Sequence, residues 1–145
     1  TAKIEQYEDR VVISYEMFDL VRTIGLNRNG HPIDPEPSTV NLDGISIPTM
    51  GHSIGWYEGD SLMIETVAYA PGYLTTLRRY PPQSAALRSL ERIYRDEEDR
   101  LLVEITYADP VIYTEPVTAA NRYYRSDFPF SVYGCVPFDV EGGTH

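Results

Sequence analysis

The sequence predicts an all-β fold built as an antiparallel barrel or sandwich, and three observations carry that reading. Short runs rich in β-branched and aromatic residues alternate between apolar and polar positions. Turn-forming dipeptides punctuate those runs, and no stretch shows a long amphipathic helical period. Seven to nine short strands fit the pattern. A barrel is favoured over a sandwich because a closed sheet has no exposed edges. At 145 residues a single domain spanning 1–145 is expected, long enough to bury a core without disulfides.

Taken in order, residues 10–18, "RVVISYEMF", place Val11, Ile13, Tyr15 and Met17 on one face and Val12, Ser14, Glu16 and Phe18 on the other. The run "LVRTIGL" follows and ends at the turn pair Asn29-Gly30. From His31 to Pro48 the chain carries four prolines and little periodicity, so a long loop is expected at about 31–50. Two strands then flank Glu58-Gly59-Asp60, with Gly59 supplying the positive φ of a tight hairpin. A second long loop, at about 69–86, contains Pro71-Gly72 and Pro81-Pro82 and has room for a short helical turn. The segments "LRSLERIYR" and "RLLVEITYA" form another hairpin across "DEED", with Leu101, Val103, Ile105 and Tyr107 on one face. "VTAANRYYRS" and "FSVYGCVPF" are the last apolar segments.

A formal net charge of −10 argues against a nucleic-acid partner, which needs a basic footprint, and against adsorption to anionic membranes. No apolar run is long enough for a helical membrane span. The single cysteine, Cys135, excludes a disulfide within this chain and a multi-cysteine zinc site, and a buried free thiol is its simplest reading. Neither a phosphate-binding glycine loop nor paired histidines with metal spacing occurs, so no cofactor and no metal are expected. Twelve tyrosines against four phenylalanines suit strand surfaces, pocket walls and interfaces.

The run "MGHSIGWYEGDSLMIETVAY" resembles the signature Gly-His-Ser-Ile-Gly-Arg-Trp-Glu-Gly-Asp-Thr-Leu-Val-Val-Asp-Thr of a bacterial family with no established reaction. The match falls on Gly51, His52, Ser53, Ile54, Gly55, Glu58, Gly59, Asp60, Leu62 and Thr66. It extends upstream to Glu16, Arg22, Gly30, His31 and Pro32, and downstream to the pair Glu91 and Arg92. Asp109, Pro110, Tyr113, Thr114 and Pro116 match a further signature, so the resemblance covers about residues 10–135. It implies a lipocalin-like (calycin-type) barrel and an extracytoplasmic location, periplasmic or secreted. Members of that family carry a secretion signal, and this sequence begins "TAKIEQ" without one, as a trimmed chain or a mature product would. Three departures stand out: Trp56-Tyr57 replaces Arg-Trp, Glu65 replaces Asp, and the 31–50 loop is longer.

His52 is the first candidate for chemistry, because an imidazole serves as acid or base near neutral pH. Glu16 and Glu65 each interrupt an apolar strand, which marks either an outward solvated charge or a tuned carboxylate. Arg22, Glu91 and Arg92 are candidate partners for these carboxylates, with Glu91 and Arg92 on opposite faces. Asp109 is placed at a turn, where its side chain accepts backbone N–H groups, and Tyr113 follows at a cavity mouth. The catalytic set is thus His52, Glu65, Tyr113 and Arg22. The ligand-binding set adds Tyr15, Glu16, Trp56 and Tyr57, together with Glu91, Tyr107 and Asp109.

Three readings follow. The first is a barrel binding a small hydrophobic or aromatic molecule in a tyrosine-rich cavity. A cofactor-free acid–base enzyme of the isomerase, lyase, hydratase or cyclase kind is the second, with His52 or Glu65 as base and Tyr113 or Arg22 steadying negative charge. The third is an interaction module acting through its loops, and self-association into a homo-oligomer is compatible with all three. Convergence of Glu16, Glu65, Arg22 and His52 in one cavity would favour the enzyme. The register of the hairpin around Gly59 decides whether His52 and Glu65 share a face.

Overall fold

The structure is a computed structural model that describes residues 1–26, 29–74, 77, 79 and 81–132. Its strands are β1 (Ala2–Gln6), β2 (Arg10–Tyr15), β3 (Leu20–Gly25), β4 (Thr39–Asn41), β5 (His52–Glu58) and β6 (Ser61–Val67), followed by β7 (Gly72–Tyr73), β8 (Pro82–Gln83), β9 (Arg88–Glu97), β10 (Arg100–Ala108) and β11 (Val117–Tyr124). The main sheet runs β1-β2-β3-β5-β6-β9-β10-β11, with β4 beside the start of β3, and β7 and β8 form a separate ribbon. All pairings are antiparallel except one parallel bridge between Gly25 and Ile54. The sheet curls strongly into a half-barrel, as a lipocalin-like all-β fold does. Among the described residues β1 and β11 are the two ends of the sheet and do not pair.

Alternation along the strands builds the concave face. Val11, Ile13, Ile24, Leu62, Ile64, Ile93, Val103, Ile105 and Tyr107 point inward, and none is more than 8% exposed. The segment after β6 folds over this face, contributing Tyr69, Leu74 and Leu87 to the same core, with Leu77 and Tyr113 packed against it. Among the described residues the 69–86 loop carries β7 and β8. Likewise, the loop expected at 31–50 contains β4 and a 3-10 turn at Pro48–Met50.

One hairpin sets the register that matters for the site. In β5–β6, Glu58 faces Ser61 across a two-residue loop, and Gly59 takes φ +58 at its first position, where a type II′ turn calls for glycine. His52 consequently faces Val67, and Ile54 faces Glu65. Gly55 has a different reason to be glycine, since an added Cβ would lie 2.8 Å from Ile24 Cγ2 and 3.2 Å from Met63 O. Only a bare Cα lets β3 and β5 approach this closely.

The strand expected over 10–18 ends earlier, at Tyr15. Tyr15 pairs with Leu20, and the four residues between them form the loop, with Phe18 and Asp19 in left-handed conformations at φ +59 and +51. Alternation at Glu16 and Phe18 merely continued the strand pattern into a reversal. At the other end of the sheet the chain leaves β11 and crosses back, where the backbone N–H of Ser131 donates to Glu16 Oε1 at 3.0 Å. That crossing links the two free sides of the half-barrel. Among the described residues no helix is long and apolar enough to cross a membrane. Cys135 lies outside the described residues.

Candidate functional site

Arg22 enters the concave face from β3, and a strand interior tolerates a guanidinium only if its donors are satisfied. Glu91 on β9 accepts from both terminal nitrogens, Nη1 to Oε1 at 3.1 Å and Nη2 to Oε2. Ser53 Oγ accepts from Nε at 3.2 Å and Nη2 at 3.0 Å, while Thr66 Oγ1 accepts from Nη2 at 2.8 Å. Arg22 and Glu91 are 6% and 8% exposed. Burial works against the arginine's charge, yet the Glu91 carboxylate more than offsets it and its pKa rises. Ser53, in the run after Gly51, is thus a buried acceptor for Arg22.

Tyrosines surround this pair. Burial pushes the Tyr15 hydroxyl up, with Arg22 pulling the other way and Glu91 and Tyr123 adding to the rise. Tyr123, on β11, is likewise raised by burial and then by Glu91. Tyr69 is held by a 2.6 Å hydrogen bond with Ser89, and burial raises its pKa. Tyr107 is buried in the adjoining core. Directly opposite Arg22 in the β3–β4 pairing stands Thr39, which is 1% exposed. Thr39 Oγ1 is a buried side-chain polar atom with no hydrogen-bond partner, the sole such atom among the described residues. No local pattern marks it, because β4 is three residues long and lies inside an apparent loop.

A second cluster occupies the convex face. His52 on β5 and Glu65 on β6 share that face as diagonal neighbours, and His31, from the preceding loop, sits between them. Its Nδ1 is 2.8 Å from His52 Nδ1, and its Nε2 is 3.0 Å from Glu65 Oε1. Arg88 Nη2 approaches the other Glu65 oxygen at 3.5 Å. Burial, followed by the neighbouring His31, lowers the pKa of His52. His31 was visible in the Gly30-His31-Pro32 match but carried no role. Its part depends on a loop folding back over 21 residues, which periodicity cannot show.

The four residues whose convergence would favour the enzyme therefore do not meet. Arg22 is concave and paired with Glu91, whereas His52 and Glu65 are convex and joined through His31. Glu16 sits beyond the end of β2, where the Ser131 N–H, then the Thr1 side chain and, against the opposing effect of burial, the Thr1 amine, lower its pKa to about 2. Tyr113 donates its hydroxyl to Pro82 O at 2.7 Å, far from a role beside His52, and burial raises its pKa. Asp109 holds the turn as expected, accepting from Ser84 N and Ser84 Oγ at 2.7 Å each and from Val111 N at 3.2 Å. Burial opposes its charge, but these donors prevail and its pKa falls. Trp56 lies on the convex face with Nε1 donating to Glu58 Oε1 at 2.9 Å. Tyr57, near the hairpin end, accepts from Gln6 Nε2 at 2.7 Å.

Glu91 and Arg92 point to opposite faces, as alternation requires, and Arg92 reaches Ser61 and Glu104 outside. No group of three or more His, Cys, Asp or Glu arranged to hold a metal occurs among the described residues. A surface depression of about 420 Å³ near the end of β11, lined by Arg125, Ser126, Asp127 and Phe128, shares no residue with either cluster. No protein-family model, curated protein or solved structure matches the chain.

Proposed function

We propose that the protein binds a small hydrophobic or aromatic molecule carrying one oxygen function, at the concave polar cluster between β2–β4 and β9–β11. The buried, unpartnered Thr39 Oγ1 beside an otherwise satisfied Arg22–Glu91 network carries this reading. Leaving such a hydroxyl unpaired costs about 1–3 kcal/mol, which a ligand carbonyl or hydroxyl recovers. Tyr15 and Tyr123 offer aromatic surface at the mouth, and the aliphatic core lies behind. A net charge of −10 disfavours an anionic ligand. The resemblance to the bacterial signature family and an extracytoplasmic location belong to the same proposal.

A thermal-shift panel of neutral aromatic ketones and phenols, paired with their deoxygenated analogues, tests it. The oxygenated members raise the midpoint of the wild type by more than their analogues do. A panel in which no member shifts the midpoint refutes the reading.

A further inference from the structure

Glu65, His31 and His52 form a chain whose proton positions follow from valence. A carboxylate only accepts, so His31 donates to it through Nε2–H. Neutral His31 then presents a bare Nδ1, which accepts from Nδ1–H of His52. His52 is left with a bare Nε2 that has no hydrogen-bond partner among the described residues. Glu65 is held in turn by Arg88, whose side chain is 64% exposed. Since Thr66 faces Ser89, Arg88 stands beside Val67, on whose other side lies His52. Base and guanidinium therefore flank Val67, their Cα atoms roughly 10 Å apart across two strand spacings. Val67 and Trp56 are half-buried and Leu90 is 42% exposed, so the surroundings are apolar.

We propose that this convex-face chain is a general-base site acting on a small neutral carbonyl compound with an acidic C–H. His52 Nε2 removes the proton α to the carbonyl. The C–H electron pair becomes the enolate double bond, and the carbonyl π pair moves to oxygen, where Arg88 stabilises it. In a β,γ-unsaturated ketone the imidazolium returns the proton to the γ carbon: the oxygen pair re-forms the carbonyl, the enolate pair moves between the α and β carbons, and the β,γ π pair takes the proton, so the net change is an isomerisation and no redox partner is needed. His31 and Glu65 are positioning residues that fix the tautomer. The net charge of −10 disfavours an anionic substrate. The site is separate from the concave cluster and does not rest on ligand binding there.

The probe is 3-cyclohexen-1-one, whose conversion to the conjugated isomer is followed by ultraviolet absorbance. Wild type accelerates it, and His52→Gln lowers the rate at least about 100-fold, the usual worth of a general base. The rate rises with pH through a midpoint below the ordinary imidazole value, and His31→Gln and Glu65→Gln move that midpoint, which a purely structural role would not do. Arg88→Gln lowers the rate without moving it. A wild-type rate no greater than that of folded His52→Gln overturns the proposal.

Discussion

Arg22 brings five N–H donors into a buried face, and its position is tenable only because Glu91, Ser53 and Thr66 converge on it. The sequence marked Arg22 and Glu91 as charges within strands, and the alternation of Glu91 against Arg92 put Glu91 on a defined face. It did not pair them, since 69 residues separate the two and no local pattern reports cross-barrel distance. Glu16 and Glu65 stood out instead by interrupting apolar strands, with Arg22, Glu91 and Arg92 as their candidate partners. Removing one member strands the other charge in the core, so Glu91→Ala is expected to lower stability by about 3–5 kcal/mol. The double variant Arg22→Met/Glu91→Leu is expected to lose less than Glu91→Ala alone. Urea unfolding of the two variants measures both, and an additive loss would contradict the pairing.

At the scale of elements, the hairpins were readable because turn chemistry and alternation are local. Gly59 sits where a II′ loop needs it, and β9 and β10 meet face to face as their patterns require. What escaped were the features set by neighbours distant in sequence: the early end of β2, the short β4, and the strand-bearing cover over residues 69–86. The crossing of β3 on β5 is of this kind. Gly55 was visible as part of a motif, but its cause is the Ile24 side chain 2.8 Å from where a Cβ would stand. Gly55→Ala is therefore expected to cost about 1–3 kcal/mol through overpacking, read as a lowered denaturation midpoint. An unchanged midpoint would show that β3 and β5 have room to separate.

For the whole molecule, curling the sheet into a half-barrel sorts the polar residues into two populations that a linear reading treats as one. Register assigns Ser53, Thr66, Glu91 and Arg22 to the concave side and His52, Glu65 and Arg88 to the convex side. The all-β class was legible from composition and alternation. The separation of the sites was not, because it depends on one residue of register in β5–β6 and on a loop delivering His31. The central claim is that the concave cluster receives an oxygen function at Thr39. Calorimetric affinities of acetophenone and ethylbenzene for wild type and for Thr39→Val test it most directly. The account predicts that wild type prefers acetophenone by about tenfold, near 1.4 kcal/mol, and that Thr39→Val loses this preference. The same preference in both proteins would contradict it.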